Sequence, residues 1–292
     1  MPYRPKRRRR TTAPRLPIAV ALLALVLTGA WFLLPGQVSA QPVAEVPASQ
    51  APSPTPAASA PAVAPAPTPT PLPEEPLPAE TAAPAYDYAS PVPEGEAVED
   101  NWFSDAAFLG DSLTDGLLLY SGIRGAENLS YKGLTVQSVR TDTVIRTEDG
   151  KYTPLEALAR QSYGKVYLLL GVNELGWYND QRFYDSYAQL IDLVREAQPD
   201  AQIYLQTLLP VTAETSASHE WLKNEKVAVY NGLIAQLAEE KQVYLVDAHA
   251  ALADEAGALP ADMSTDGVHL TKSGYQVWAD YLRTHTVAPE AS

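Results

Sequence analysis

The stretch Leu109-Gly110-Asp111-Ser112-Leu113-Thr114-Asp115-Gly116 decides how this chain folds. The apolar run at 106–109 is typical of a buried strand, and the apolar residues at 117–120 begin one face of a helix. The glycines, aspartates and serine between these runs mark a strand end followed by a helix start. Ser112 is therefore expected at a helix N-terminus, where free N–H groups and the helix dipole favour negative charge. A serine that only caps a helix would give the same local pattern.

Apolar runs bounded by turn residues recur along the second half of the chain, and helix-like segments lie between them. The predicted strands are residues 106–109, 127–130, 165–170, 202–206 and 243–246. The predicted helices are residues 154–161, 182–197, 220–240 and 271–284. Because strands alternate with helices, we expect parallel strands joined by right-handed crossovers, with helices on both faces of one sheet. The turn signal Glu148-Asp149-Gly150-Lys151 predicts a hairpin before the helix at 154.

Three later motifs accompany the serine motif. They are Asn128-Leu129-Ser130-Tyr131-Lys132-Gly133, Gly171-Val172-Asn173-Glu174 and Asp266-Gly267-Val268-His269. Together with Gly110-Asp111-Ser112-Leu113, and in the same order, they resemble the four signature blocks of the GDSL, or SGNH, family of serine esterases and acylhydrolases. The resemblance implies an α/β fold of three layers, α/β/α, with a mostly parallel, flavodoxin-like central sheet and the four blocks at the carboxyl ends of its strands.

The resemblance also implies a role for each motif residue. Ser112 would attack an ester carbonyl, His269 would take the serine proton, and Asp266 would orient the imidazole and stabilise its charged form. The implied oxyanion donors are the backbone N–H groups of Ser112 and Gly133 and the side-chain amide of Asn173. Each residue also has a purely structural alternative. Glycine and asparagine commonly form loops, and a histidine beside a helix is commonly a cap or a surface residue.

Two residues depart from the family pattern. Glu174 stands where many relatives have aspartate, and Lys132 precedes the glycine of the second block. Neither is a residue that the chemistry needs, so we expect both to affect substrate preference more than activity. Asp247 and His249 form a second acid–histidine pair, but Asp247 is expected to cap the helix that follows residue 246.

Apolar and aromatic residues near the motifs are the candidates for substrate contacts. We expect an acyl pocket or a sugar site to be lined by Leu113, Tyr131, Leu175 and Trp177, with Tyr178, Leu209 and Pro210 as further candidates, although core or rim positions suit them equally. The chain has no cysteine, its four histidines are scattered, and it lacks a glycine-rich phosphate loop. We therefore expect no metal site and no cofactor.

The leading interpretation is an extracytoplasmic serine esterase that removes small O-acyl groups, such as acetate, from cell-envelope carbohydrate. Its substrate would be a small acyl ester or an acylated polysaccharide. The alternatives are an O-acyltransferase to cell-wall sugars, a lysophospholipase, a thioesterase or an inactive carbohydrate-binding module. The transferase would need a separate acyl donor protein. An acidic body, with 14 basic against 35 acidic residues after position 15, argues against nucleic acid as a partner.

The N-terminal third differs in composition from the rest. Residues 1–17 carry seven basic and no acidic residues and are expected to form a cytoplasmic tail. Residues 18–34 are uncharged and would span ~25 Å as a helix, which predicts a single transmembrane signal anchor. A signal peptide cleaved after Val38-Ser39-Ala40 is the alternative.

A proline-rich segment follows the predicted anchor. Sixteen of the 26 prolines lie between Pro42 and Pro93, among alanine, serine and threonine, so residues 35–97 are expected to be a disordered linker that cannot bury a core. Tyr86 and Tyr88 are the residues at which packing on the domain would begin. Residues 98–292 are expected to form the hydrolase domain.

Overall fold

In the computed structural model, which describes residues 86–288, a five-stranded sheet forms the centre of the fold. Its strands are β1 (Ala106–Gly110), β2 (Glu127–Asn128), β5 (Lys165–Leu169), β6 (Gln202–Gln206) and β7 (Tyr244–Val246). They lie in the order β2-β1-β5-β6-β7, and every neighbouring pair is parallel. A separate antiparallel hairpin joins β3 (Ile145–Thr147) to β4 (Gly150–Tyr152).

Within residues 86–288, seven α-helices pack around these strands. They are α1 (Ser112–Tyr120), α2 (Pro154–Leu158), α3 (Asp180–Ala197), α4 (Ala213–Ser218), α5 (Asn224–Lys241), α6 (Ala248–Leu252) and α7 (Lys272–Thr284). Short 3-10 helices lie at Asp100–Asp105, Ser138–Arg140, Val172–Glu174 and Ala261–Met263. The predicted fold, a mostly parallel sheet of flavodoxin-like strand order between helical layers, is confirmed.

The two faces of the sheet carry separate apolar cores because successive side chains of a strand point to opposite faces. One face packs on α2, α3 and α5, with Leu109, Leu168 and Leu205 pointing into this layer. The other face packs on α1, α6 and α7, with Phe108 and Tyr167 stacked at 4.6 Å between ring centroids. Strands buried on both sides read as continuous apolar runs, which is why the sequence reveals them.

Helix α7 is held firmly against its layer, and this anchors the loop before it. Trp278 is fully buried, and its indole N–H donates to the buried side chain of Gln206 on β6 at 3.1 Å. Tyr275 packs closely on Gly116 of α1. The start of α7 therefore lies beside the start of α1, where the serine motif is found.

The helices differ from the sequence expectations at four places. Helix α4 was not expected, and the predicted helix at 220–240 begins instead at Asn224, because the His219 imidazole accepts the N–H groups of Trp221 and Leu222 and turns the chain there. The helix predicted from 182 begins at Asp180, because the side chain of Asn179 accepts N–H groups of the first turn. The helix predicted over 154–161 ends at Leu158.

Packed structure begins before the predicted domain boundary at residue 98. The N–H of Val92 donates to Leu245 O at 2.8 Å, beside the edge strand β7, and Val92 is buried. Tyr86 and Tyr88 pack on Tyr244, with ring centroids 4.9 and 5.5 Å from it. The predicted tail, anchor and most of the predicted linker lie outside the described residues. Between residues 86 and 288, no helix has the length and hydropathy needed to cross a membrane.

Candidate active site

Ser112 lies where β1 passes directly into α1. The Asp111 carboxylate caps this helix by accepting the Leu113 N–H at 2.9 Å, so Ser112 is the first helical residue. The first N–H groups of a helix have no acceptor within the helix. Ser112 therefore presents both its hydroxyl and its own N–H at the carboxyl edge of the sheet.

The turn before α7 brings Asp266 onto the ring of His269. Asp266 Oδ2 lies 2.7 Å from His269 Nδ1, and Asp266 Oδ1 accepts the N–H groups of Val268 at 3.0 Å and His269 at 2.8 Å. Gly267 adopts a φ of 93°, and a Cβ there would lie 1.9 Å from the hydroxyl of Thr215, so both backbone and space require glycine. The Gly267 carbonyl also accepts the Thr212 N–H at 3.0 Å, which holds the turn against α4.

The two elements meet through one hydrogen bond. Ser112 Oγ lies 2.9 Å from His269 Nε2, across 157 positions of sequence. Serine, imidazole and carboxylate thus form a continuous chain of hydrogen bonds. Partial burial raises the pKa of Asp266, but hydrogen bonds from the His269 ring and from two backbone N–H groups hold that pKa below its usual value. An ionised Asp266 can hold the Nδ1 proton of His269 and leave Nε2 free to accept the serine proton.

The Gly133 loop, residues 131–136, lies beside the serine. The Tyr131 N–H donates to Gly110 O at 3.1 Å, which fixes the loop to the end of β1. Gly133 has a φ of 79° with open space around its Cα, so its conformation, not crowding, requires glycine. Asn173 Nδ2 donates to Leu134 O at 2.8 Å and lies 3.5 Å from Asp111 Oδ2. One amide N–H is therefore committed to the loop, and the other has only this long contact.

Two buried carboxyl groups lie behind this edge of the sheet. Burial raises the pKa of Asp111 to about 7, against the opposing effects of the Leu113 N–H and of His269. Burial, with the charge of Asp111, raises the pKa of Glu174 to about 8, although the Val136 N–H lowers it. Glu174 is fully buried, so any effect on substrate preference must act through the residues packed around it.

Open hollows lie on either side of the pair Ser112 and His269, and both residues line each hollow. The His219 hollow, of about 460 Å³, is also lined by Val172, Asn173, Thr215, Ser218, His219, Trp221, Leu222, Asp266 and Val268. The Tyr120 hollow, of about 380 Å³, is also lined by Asp115, Gly116, Leu119, Tyr120, Thr265, Leu270, Thr271, Lys272 and Tyr275. Both volumes suit small ligands.

The comparison with protein families agrees with this geometry. A model of the GDSL-like Lipase/Acylhydrolase family matches residues 108–277, which is more than half of the chain and includes all four motifs. The chain belongs to this family. It is therefore a serine hydrolase of the GDSL, or SGNH, type.

The chain is also similar to several solved structures. A Streptococcus pneumonia protein provisionally described as a platelet activating factor has a TM-score of 0.50 and 25% identity, over 61% of this chain and 81% of that one. A GDSL-like lipase from Bacteroides thetaiotaomicron has a TM-score of 0.45 and 19% identity, over 61% of this chain and 85% of that one. The acetyl xylan esterase AlAXEase has a TM-score of 0.47 and 18% identity, over 62% of this chain and 99% of that one. No curated protein matches the chain significantly.

The structure places the predicted substrate residues of this GDSL hydrolase away from both hollows. Leu113 and Leu175 are buried in the two apolar cores, as is Leu209. Tyr131 is partly exposed on the Gly133 loop, and Trp177 packs under the Arg182 guanidinium at 4.4 Å. None of these residues lines either hollow.

The residues that form one wall of the His219 hollow were not predicted from the sequence. His219 and Trp221 supply it, with their rings 4.9 Å apart and nearly perpendicular, and the Trp221 ring packs over Gly176. They lie between α4 and α5, far from any family motif in the chain. The only local signal is the pattern Thr212-x-x-Thr215, in which the Thr212 hydroxyl accepts the Thr215 N–H and starts α4. Asp247 caps α6 as expected.

Proposed function

We propose that this GDSL hydrolase removes small O-acyl groups, acetate above all, from carbohydrate, with Ser112 as nucleophile. The observation that carries the proposal is the hydrogen-bonded chain of Ser112, His269 and Asp266, open to solvent between two hollows. In an ester, the acyl group and the alcohol extend to opposite sides of the reacting carbonyl. A hollow on each side of the serine provides room for both.

The reaction would proceed in two balanced steps. Ser112 Oγ attacks the carbonyl carbon while His269 Nε2 takes the hydroxyl proton, and the carbonyl oxygen becomes an oxyanion. The oxyanion would receive hydrogen bonds from the N–H groups of Ser112 and Gly133 and from the amide N–H of Asn173 that does not bind Leu134. The intermediate collapses as His269 returns the proton to the leaving alcohol. Water, deprotonated by the same imidazole, then attacks the acyl carbon, and His269 returns the proton to Ser112 Oγ as the acyl group leaves as a carboxylic acid.

The character of the hollows favours a short acyl group. Seven of the eleven residues lining the His219 hollow are polar, and both hollows are open to solvent. A fatty chain gains about 0.8 kcal/mol for each CH₂ only where apolar walls exclude water. Because both hollows are open, they would leave much of a fatty chain in water, which argues against a lysophospholipase.

Trp221 supports carbohydrate as the alcohol. Its side chain is 47% exposed inside the His219 hollow, and the ring is fixed by Gly176 and His219. The Nδ1 atom of His219 accepts two backbone N–H groups, so its neutral ring carries its proton on Nε2. A flat apolar face beside an N–H donor and the hydroxyls of Thr215 and Ser218 suits a sugar ring, which has apolar faces and a hydroxyl rim.

The test compares aryl esters of increasing acyl length with acetylated polysaccharide, using the full chain. We expect turnover to fall as the acyl group lengthens, and Trp221→Ala to raise KM for the polysaccharide while aryl acetate turnover is unchanged. Tyr178→Ala is the matched control, because Tyr178 is fully exposed but lines neither hollow. A preference for long acyl chains would overturn the proposed substrate class.

We also propose that the enzyme is membrane-tethered, with its hydrolase domain outside the cytoplasm. The basic residues at 1–17, the uncharged run at 18–34 and the proline-rich segment after it support this location. The full chain should stay with membranes after a high-salt wash. Recovery of a soluble chain that begins at Gln41 would show instead that a signal peptide is cleaved.

A further inference from the structure

Glu174 directly follows Asn173, yet its side chain points away from the hollows. It is fully buried, and its Oε1 accepts the N–H of Val136 at 2.6 Å. Its own backbone is fixed as well, since its N–H donates to Gly171 O at 3.1 Å and its carbonyl accepts the Tyr230 hydroxyl at 2.9 Å. The Glu174 carboxyl is therefore held in place by its own fixed backbone, and it binds the Gly133 loop through the Val136 N–H.

Asn173 and Glu174, which are adjacent in the sequence, thus bind the Gly133 loop at two points. Asn173 binds Leu134 O, and Glu174 binds the Val136 N–H, on either side of Thr135. Gly133 lies directly before the gripped segment. The oxyanion donors proposed above come from both sides of this junction, and a displacement of 1 Å between reacting groups can cost 10²-fold in rate. The spacing between Gly133 and Asn173 consequently depends on Glu174.

We propose that Glu174 is a positioning residue that, as a neutral carboxylic acid, sets the distance between the Gly133 loop and Asn173. The proposal rests on the proposed esterase activity. A glutamate fits this task because its side chain must reach from the 3-10 turn at Val172–Glu174 to the backbone of the next segment. An aspartate would be one methylene shorter and could not make the same contact without moving the loop.

The surroundings of Glu174 favour the neutral form. Glu174 Oε2 is buried and has no hydrogen-bond partner among residues 86–288. The ionisable groups that act on it are Asp111 from the start of α1, Tyr187 from α3 and Tyr230 from α5. Asp111 opposes a negative charge on Glu174, and the cation that lies over the Tyr230 ring, Lys226, is paired with Asp180. A buried carboxylate without a compensating partner is costly, so the group keeps its proton.

The experiment measures kcat and KM for an aryl acetate between pH 5 and 9 with the full chain. Glu174→Gln keeps the length and the acceptor of the neutral acid and should retain wild-type kcat within a few-fold at pH 7. Wild-type kcat should fall above pH 8, as Glu174 ionises, and this fall should be absent from the Gln variant. Glu174→Asp should lower kcat by about 10-fold to 100-fold with KM little changed. Glu196→Gln, on the exposed side of α3, is the control.

Two outcomes would overturn the proposal. One is a Gln variant as impaired as the Asp variant, and the other is a Gln variant that keeps the alkaline fall in kcat. If Glu174→Asp does not fold, the pH profile of the Gln variant decides alone. Labelling of Ser112 by a serine-directed phosphonate is measured in every variant. Failure of labelling in the wild type would reject the proposed nucleophile, which is a different result from failure of the role of Glu174.

Discussion

Acidic side chains on the two sides of Ser112 have opposite surroundings. Asp266 has a side chain that is 55% exposed, and three hydrogen-bond contacts to its carboxylate hold its pKa below the usual value. Asp111 and Glu174 are buried, and their pKa values rise to about 7 and about 8. The carboxyl group is thus ionised where it supports a developing imidazolium, whereas the two buried carboxyl groups, which hold backbone in place, keep their protons to higher pH.

The largest effect on kcat should come from removing the Ser112 hydroxyl, which His269 and the exposed acid Asp266 activate. Ser112→Ala should lower kcat by on the order of 10⁶-fold, because the proposed nucleophile is lost and histidine and aspartate have nothing to activate. The measurement is turnover of an aryl acetate together with phosphonate labelling. Ser104→Ala, at an exposed serine, should leave both unchanged. Substantial labelling of Ser112→Ala would place the nucleophile elsewhere.

The next effect separates the exposed acid from the buried one. Asp266→Asn should lower kcat by about 10⁴-fold, because an amide favours the wrong imidazole tautomer. Asp111→Asn should change kcat only a few-fold at pH 6, because asparagine keeps the acceptor for the Leu113 N–H and resembles the neutral acid. Both are compared at the same pH. Equal losses in the two variants would remove the difference in charge state between these aspartates.

A smaller effect should follow from losing one oxyanion donor at the junction of the two regions. Asn173→Ala should lower kcat by about 10²–10³-fold with KM little changed, because the contact strengthens in the transition state. The variant should still be labelled at Ser112, although more slowly. Nearly full kcat in Asn173→Ala would mean that the amide serves only to hold Leu134.

The smallest effect concerns stability and leaves the chemistry aside. Unfolded carboxyls titrate near pH 4, whereas folded Glu174 keeps its proton to about pH 8, so the folded chain binds the extra proton between these values. Stability of the wild type should therefore fall as pH rises through this window, by about 1.4 kcal/mol per pH unit relative to Glu174→Gln. Asp266 acts with the opposite sign, since its contribution is lost as pH falls.

Urea unfolding of the wild type and of Glu174→Gln at pH 5, 6 and 7 measures this difference. The two stabilities should diverge steadily, with the wild type losing more. Parallel pH dependence in the two proteins would show that Glu174 is ionised in the folded state at neutral pH.

Much of the fold could be predicted because each buried strand is a short continuous apolar run that is visible in the local sequence. The strand at Gln202–Gln206 and the end of the helix at Ala197 fall where the sequence pattern predicts them. The segment from Thr212 to Lys223 could not be predicted, because its course depends on side-chain caps and on the His219 imidazole binding backbone N–H groups. Such contacts override helix propensity and leave little periodic signal.

The sequence by itself determined the fold class, the order of the four motifs and the pair Asp266 and His269, whose members are only three residues apart. Tertiary structure alone decided that Ser112 meets His269, that Trp221 lines the same hollow as the serine, and that Glu174 turns inward to the Gly133 loop. The physical reason is that local patterns report which backbone conformation a segment prefers. Burial, the resulting charge state and contacts between distant segments exist only once the sheet and its helices have packed.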